Sequence, residues 1–493
     1  MPGVGAMRRH LLFQQHGRGA HLKEHLPFDT LHEECGVFGI FGGREMPSAQ
    51  AAYYGLYALQ HRGQESCGIA VNDQGVLSVH RAMGLVSEVF DDAALSSLKG
   101  QAAIGHVRYS TAGGSLVQNC QPLLMRYAKG RLAIAHNGNL TNAETVRREL
   151  AKGGAIFRTT IDSEVIAHVI AQERLTSGSV EQAVVRMMGR IRGAYSLLVM
   201  SPRKLVAARD PFGFRPLVIG RLGGAYVIAS ETCALDAVNA QFIRDVEPGE
   251  VVVVDTAGLH SIRAHCGEQP RRMCVFEYIY FARPDSTLDG VRVHAARLRA
   301  GALLAREYPV EADLVIGVPD SGLDAAIGYA RESGIPFETG FVRNNYVGRT
   351  FIKPEQGERE ASINIKLNVL RHAVAGKRLV MVDDSIVRGS TSANIIRALK
   401  QAGAKEVHVR ISSPPLHWPC YFGTDIPTRE ELTSNHHTVE ELCRAIGADS
   451  LGFLSCASLY PLVGTQERTF CDACFTGEYP IPLKEIDGNF LSK

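Results

Sequence analysis

Residues 379–392 read Leu379-Val380-Met381-Val382-Asp383-Asp384-Ser385-Ile386-Val387-Arg388-Gly389-Ser390-Thr391-Ser392. An apolar strand runs into two adjacent acids, then into a Gly/Ser/Thr loop, then into a helical pattern. Backbone N–H groups and hydroxyls converge at such a helix N-terminus, so a phosphate sits well there. Two neighbouring carboxylates just before it suit ribose hydroxyls or Mg²⁺. The loop is not a P-loop, because no G-x-x-x-x-G-K-[ST] is present. An ordinary capped strand–loop–helix has no need of the two acids.

On either side the same rhythm repeats. Asp313–Pro319 reads as a buried strand, and Leu323–Arg331 as a helix stopped by Gly334. Arg378–Asp383 is the next strand, Ser392–Gln401 a helix stopped by Gly403, and Glu406–Ser412 a further strand. This βαβ order predicts a parallel sheet covered on both faces. A second loop, Gly317-Val318-Pro319-Asp320-Ser321-Gly322, also ends a strand and opens a helix. The stretch 340–360 (GFVRNNYVGRTFIKPEQGERE) is long, Gly-punctuated and mixed in charge.

Residues 35–264 read differently. Short strands such as Gly36–Phe41, Leu132–Ala135, Ala194–Met200, Tyr226–Ala229 and Glu250–Asp255 are broken by Gly-rich turns and predict a large mixed sheet. Helical patterns interrupt them at Ala49–Gln60, Asn142–Lys152 and Ser163–Leu175, the last with Asp162-Ser163 as its N-cap. The polar segment His265–Arg272 (HCGEQPRR) is the expected linker. The expected division is therefore a leader 1–34, a domain 35–264 and a domain 273–493.

Composition narrows the function classes. Lys+Arg is 53 against Asp+Glu 51 over 493 residues, a net charge of +2, which excludes nucleic-acid binding driven by whole-chain charge. With 45% apolar and 21% charged residues the chain is globular, and no apolar run reaches membrane-spanning length. Eleven cysteines, an odd number, argue against a disulfide scaffold and for reduced thiols, a metal site or a nucleophile. A cytoplasmic protein is expected.

The candidate nucleophile is Cys35, in Glu34-Cys35-Gly36-Val37-Phe38-Gly39-Ile40. Alone, a Cys at a strand start is also what a buried structural thiol looks like. Four further motifs follow in order: His61-Arg62-Gly63-Gln64-Glu65-Ser66, Gly105-His106-Val107-Arg108-Tyr109-Ser110-Thr111, His136-Asn137-Gly138-Asn139-Leu140 and Asp162-Ser163-Glu164. Together they resemble the glutaminase domain of the N-terminal-nucleophile glutamine amidotransferases, which implies an αββα sandwich. A cut after Glu34 would give Cys35 a free α-amine of pKa about 7.7–8.0, able to take the thiol proton. The leader Met1–Glu34, basic up to Lys23 and without a credible secretory core, then reads as a propeptide.

The resemblance assigns further roles. Asn137 and the Gly138 N–H would donate to the oxyanion, although Asn-Gly is also the strongest signal for a type I′ hairpin turn. Arg108 would pair the α-carboxylate of glutamine, Asp162 its α-ammonium, and Arg62 would belong to a loop closing over glutamine.

Residues 379–392 resemble the phosphoribosyl pyrophosphate (PRPP) motif of type I phosphoribosyltransferases. That implies Ser385, Arg388, Gly389, Ser390 and Thr391 on phosphate and ribose, Asp383, Asp384 and Ser321 toward Mg²⁺, and 340–360 as a lid with Arg349 and Lys353 facing phosphates. A glutaminase followed by a phosphoribosyltransferase resembles the amidophosphoribosyltransferase family. The junction stretch Cys274-Val275-Phe276-Glu277-Tyr278-Ile279-Tyr280-Phe281-Ala282-Arg283-Pro284-Asp285 is a further family signature.

The family implies 5-phosphoribosylamine made from glutamine, PRPP and water, the first committed step of purine synthesis. Ammonia would travel along a closed route, with Tyr280 a candidate to line it. It also implies purine-nucleotide feedback inhibitors, a homo-oligomer (a tetramer), and neither nucleic-acid nor membrane partners. Cys471-Asp472-Ala473-Cys474 is the only C-x-x-C. In the iron–sulfur-bearing branch of the family it joins Cys274 and Cys420 in a [4Fe–4S] site, with Zn²⁺ the alternative for four thiolates. A glucosamine-6-phosphate synthase would share the first domain but lack Asp383–Thr391.

Overall fold

The computed structural model describes residues 35–42, 46–109, 114–344 and 367–488. The leader 1–34, Ser110, Thr111, Arg349 and Lys353 lie outside the described residues.

The first domain is built on two stacked sheets. One has seven strands: β1 (Gly36–Phe41), β2 (Ser66–Asp73), β3 (Val76–Met83), β4 (Ala102–Arg108), β9 (Val218–Leu222), β10 (Ala225–Ala229) and β11 (Gln241–Asp245), in the order β11-β9-β10-β1-β4-β2-β3. The other has six: β5 (Leu123–Tyr127), β6 (Gly130–Leu140), β7 (Gly193–Met200), β8 (Leu205–Arg209), β12 (Val251–Asp255) and β13 (Gly258–Ile262), in the order β13-β12-β8-β7-β6-β5. Val37, Ile104, Ala135, Leu198, Ile228 and Val252 fill the layer between them. The helix Ser48–Ala58 covers the outer face of the first sheet. Helices Ala143–Lys152, Asp162–Thr176 and Val180–Met188 cover that of the second.

The result is the expected αββα sandwich, but the expected mixed sheet is two wholly antiparallel ones. Short connections explain it: the turn between β2 and β3 is Gln74-Gly75, both at positive φ, which a parallel crossover could not use.

The second domain carries a four-stranded parallel sheet in the order Leu314–Gly317, Arg378–Asp383, Glu406–Ile411, Ser450–Phe453. Alternate side chains enter two cores, as a doubly covered sheet requires. Val315, Val380 and Val382 pack with helices Val293–Glu307 and Gly322–Ser333. Leu314, Ile316, Leu379 and Met381 pack with helices Ser390–Gln401 and Val439–Ile446. Gly334 ends its helix in the left-handed conformation at φ 76°.

The linker segment is folded onto the first domain rather than free. His265 Nε2 lies 3.0 Å from the Val185 carbonyl, and Nδ1 lies 2.9 Å from Glu268. The stretch read as a lid opens as a strand, Phe341–Arg343, paired with Leu367–Val369.

Candidate active site

Cys35 is buried at the head of β1, and its thiol points at the Tyr109 carbonyl at 3.7 Å. Because β1 is antiparallel to β4 with Gly36 opposite Val107, the nucleophile stands beside Arg108. Arg108 is oriented from the next strand: its Nη1 donates to Glu65 Oε1 at 2.8 Å, and the Glu65 N–H donates back to the Arg108 carbonyl at 3.1 Å. Glycine permits this crowding. A Cβ on Gly63 would lie 2.6 Å from the Arg108 nitrogen.

Asn137 and Gly138 are not a hairpin turn. β6 runs unbroken through them, with Asn137 opposite Ser196 and Gly138 opposite Tyr195 on β7. Glycine is needed here for close approach instead: Gly138 sits at φ 135°, and a Cβ would fall 2.1 Å from the Ala194 carbonyl oxygen. The Asn137 Nδ2 is buried and has no hydrogen-bond partner among the described residues, a rare and costly state for an amide.

Asp162 is the first residue of its helix rather than the cap, a position taken by Ile161. Its Oδ2 accepts from the Leu140 N–H at 2.9 Å. Burial alone would raise its pKa, but His136, with Nδ1 3.6 Å from Oδ1, and the N–H groups of Leu140 and Ser163 outweigh it and hold the carboxyl below its ordinary value. His136 itself is fixed, with Nδ1 3.1 Å from Ser163 Oγ and its N–H donating to Gln121 Oε1 at 2.9 Å.

Arg62 does not face an open site. Its side chain is fully buried, its Nε donates to Glu231, and its Nη1 donates to Glu277 Oε1 at 3.3 Å. Its Cδ lies 3.4 Å from where a Cβ on Gly36, the residue after Cys35, would stand.

In the second domain Asp383 ends the strand Arg378–Asp383 and Asp384 follows it, both buried. Ser321 Oγ donates to Asp384 Oδ1 at 2.6 Å, Ser385 Oγ to Oδ2 at 2.6 Å, and the Asp384 N–H to Asp383 Oδ1 at 2.9 Å. The approach of the two loops depends on Gly322, whose Cβ would stand 2.5 Å from the Val382 carbonyl. Burial, then the neighbouring Asp384 charge, pushes Asp383 well above the carboxylate range. Burial also raises Asp384, against the donors Ser321 and Ser385 and the charge of Arg297. Gly389, left-handed at φ 85°, caps the helix that starts at Ser390. Arg388 Nη2 donates to Glu431 Oε1 at 3.1 Å.

The four singled-out cysteines line one small cavity at the junction, with Phe214, Phe276, Phe422 and Tyr479. Cys274 pairs in register with Cys471. Burial, and next the Cys274, Cys420 and Cys471 thiols, pushes Cys474 far up; burial takes Cys471 to about 12. Among the described residues no three His, Cys, Asp or Glu side chains stand ready-made around one ion.

The segment after Cys420 joins the domains. Asn139 Nδ2 donates to the Tyr421 carbonyl at 2.9 Å, and Arg215 Nη2 to the Phe422 carbonyl at 2.7 Å. Phe422 stacks on Phe214 with centroids 4.3 Å apart. A Cβ on Gly423 would lie 3.3 Å from the Gly138 carbonyl carbon. Tyr280 lies in a π-helical turn, Glu277–Phe281, between the domains.

Sequence reading did not single out Glu65, His136, Arg215, Glu231 or Arg297. Glu65 and His136 lie inside quoted motifs and could have been found there. Arg215, Glu231 and Arg297 carry no local signal.

Residues 106–237 match the model of a glutamine amidotransferase domain. An amidophosphoribosyltransferase of Bacillus subtilis is 51% identical over 458 residues, spanning 92% of this chain and 95% of its own. One of Archaeoglobus fulgidus is 48% identical over 91% of this chain and 98% of its own. Among solved structures, the glutamine PRPP amidotransferase of B. subtilis complexed with ADP and GMP superposes with a TM-score of 0.85 at 49% identity, covering 91% of this chain and 98% of the other. No helix among the described residues is long and apolar enough to cross a membrane.

Proposed function

This chain belongs to the amidophosphoribosyltransferase family and is an enzyme of the first step of purine biosynthesis, and from that premise we propose how its residues divide the work. Cleavage after Glu34 frees the α-amine of Cys35, which takes the thiol proton directly or through water. The sulfur attacks the side-chain amide carbon of glutamine, ammonia leaves, and water hydrolyses the thioester to glutamate. Asn137 Nδ2 and the Gly138 N–H receive the oxyanion. Arg108, held by Glu65, pairs the α-carboxylate, and Asp162 holds the α-ammonium.

The observation that carries this reading is the Asn137 amide: a buried N–H₂ without a partner among the described residues is what a donor kept for a transient oxyanion looks like.

In the second domain Ser385, Arg388, Gly389, Ser390 and Thr391 hold PRPP phosphate and ribose, with Arg349 and Lys353 on the lid. Ser321, Asp383 and Asp384 fit Mg²⁺, since two carboxylates raised by burial, Asp383 further by the charge of Asp384, gain most from a divalent cation. When bound, Mg²⁺ neutralises charge on the departing pyrophosphate. Ammonia attacks C1 of PRPP after crossing the junction past Tyr280, shielded from water that would protonate it. The contact of Tyr421–Gly423 with β6 supports a closed passage.

Cys274, Cys420, Cys471 and Cys474 fit a [4Fe–4S] cluster, or Zn²⁺, because four thiols share one apolar cavity. The group supplies a staple between the junction, the Cys420 segment and the C-terminal pair. Purine nucleotides are the proposed inhibitors: the B. subtilis relative was solved with ADP and GMP, and GMP shares its ribose 5-phosphate with PRPP. A homo-oligomer, a tetramer by family resemblance, is proposed as well.

The test is the mass of the purified chain alongside its glutaminase rate. A terminus at Cys35 is expected. Glutamine hydrolysis at the full rate by protein that keeps its leader would overturn the assignment of the amine as base.

A further inference from the structure

Four charged side chains are sealed from solvent between the domains: Arg62, Glu231, Glu277 and Arg215, each with no exposed side-chain surface. Burying ions costs more than their pairing commonly returns, so such a network is poor evidence of stability alone. Its layout has a direction. Glu277 Oε1 faces both arginines, at 3.3 Å from Arg62 Nη1 and 3.6 Å from Arg215 Nη1. Arg62 Cδ lies 3.4 Å from where a Cβ on Gly36, the residue after Cys35, would stand. Arg215 holds the Phe422 carbonyl, and a Cβ on Gly423 would stand 3.0 Å from Arg215 Nη2 and 3.3 Å from the Gly138 carbonyl carbon, so the three residues pass close to one another. One carboxylate thus reaches the nucleophile side of the glutaminase site through one arginine and the oxyanion side through the other.

The same carboxylate opens the junction's π-helical turn, Glu277–Phe281, a local geometry that recurs at functional sites. The far end of that turn is gripped from the second domain. Arg297, on helix Val293–Glu307, donates to the carbonyls of Tyr278, Tyr280 and Ala282 at 2.9, 2.9 and 2.7 Å. Glu231 fixes the other face of Arg62 and is itself held by Ser286 Oγ at 2.6 Å and the Arg283 N–H at 2.9 Å.

We propose that Glu277 is a positioning residue for the glutaminase half-reaction: through Arg62 and Arg215 it sets the spacing of Cys35 and Gly138 and ties that spacing to the turn that carries Tyr280. This rests on the roles given above to Cys35 and Gly138.

The test compares the parent with Glu277→Gln and with Arg62→Gln/Glu277→Gln in the full chain. It reads kcat and KM for glutamine-driven phosphoribosylamine synthesis, the ammonia-driven rate and the melting temperature. Misplacement of reacting groups by about 1 Å costs about 10²-fold, so a loss of about 10–100-fold in glutamine-driven kcat is expected in both variants. KM for glutamine stays within about threefold, since Arg108 and Asp162 are untouched, and the ammonia-driven rate within about twofold.

The double variant separates positioning from charge balance. Removing one charge of each sign returns the buried cluster to neutrality and leaves Glu231 its His61 and Ser286 partners, so the melting temperature recovers in part while kcat does not. Recovery of glutamine-driven kcat in the double variant would overturn the proposal, as would an equal fall of both rates in it, which would assign the pair to folding. Failure of the underlying site reading shows separately, as glutamine-driven synthesis surviving in Cys35→Ala.

Discussion

Replacing Gly138 by Ala perturbs the proposed oxyanion site with a single methyl group. The new Cβ would stand 2.1 Å from the Ala194 carbonyl oxygen, 2.6 Å from its carbon and 3.0 Å from Tyr195 Cα, all backbone atoms of β7 that cannot rotate away. An ordinary C···O contact is about 3.3 Å, so β6 and β7 must part locally by about 1 Å. The backbone at φ 135° adds a strain of about 1–3 kcal/mol for a residue with a side chain. The Gly138 N–H moves with the strand. Loss of one oxyanion donor costs about 10²–10³ in kcat, and that is the expected fall in glutamine-driven synthesis. Ammonia-driven synthesis continues, because the phosphoribosyl site is untouched. The assay follows phosphoribosylamine with each nitrogen source, with the melting temperature measured in parallel. A folded variant that keeps its glutamine-driven rate would refute the role of Gly138. A proportional loss of both rates would refute the independence of the two sites.

Three other perturbations have defined outcomes. Asp162→Asn removes the charge proposed to hold the α-ammonium; KM for glutamine should rise about 10–100-fold, as for a lost charged hydrogen bond, with the ammonia-driven rate kept. Glu231 is held well below the ordinary carboxylate range: burial would raise it, but Arg62 and His61 outweigh that. It therefore contributes stability present above its unfolded pKa of about 4.3 and lost as pH falls through its lower folded value. Melting curves from pH 7 downward should accordingly show the parent losing more stability in acid than Glu231→Gln, which begins weaker by about 3–5 kcal/mol because a buried ion pair with Arg62 is broken, leaving Arg62 with Glu277 as its remaining carboxylate partner. Cys474→Ser should abolish the visible absorption and the iron (or zinc) content of anaerobically purified protein and lower its melting temperature; metal retained in full would remove Cys474 from the ligand set.

Much of this was legible in the chain because its signals are local. The run Leu379–Asp384 is apolar up to two acids, and it forms the buried strand expected, with both acids at its end. The order of strand and helix from Asp313 onward predicted the parallel sheet. Asn137-Gly138 misled the turn reading because glycine serves two purposes, reversing a chain and letting two backbones touch, and only the partner strand Gly193–Met200 decides which. Asp162 misled by one position, since the helix already begins at it, with Ile161 as the cap, and its carboxylate reaches across the fold to the Leu140 N–H. Arg62 was placed near glutamine by its motif, yet its carboxylate partners lie 169 and 215 residues away. No periodicity or spacing reports a contact of that kind; it exists only once both domains are folded together.

The central claim is that nitrogen released at Cys35 is delivered to a ribose phosphate held by the other domain. Phosphoribosylamine formation measured with glutamine and with ammonium salts, in the parent and in Cys35→Ala, tests it most directly. The variant is expected to lose the glutamine-driven rate and keep the ammonia-driven one. Glutamine still feeding the product without that sulfur, or both rates vanishing in protein that remains folded, would contradict it.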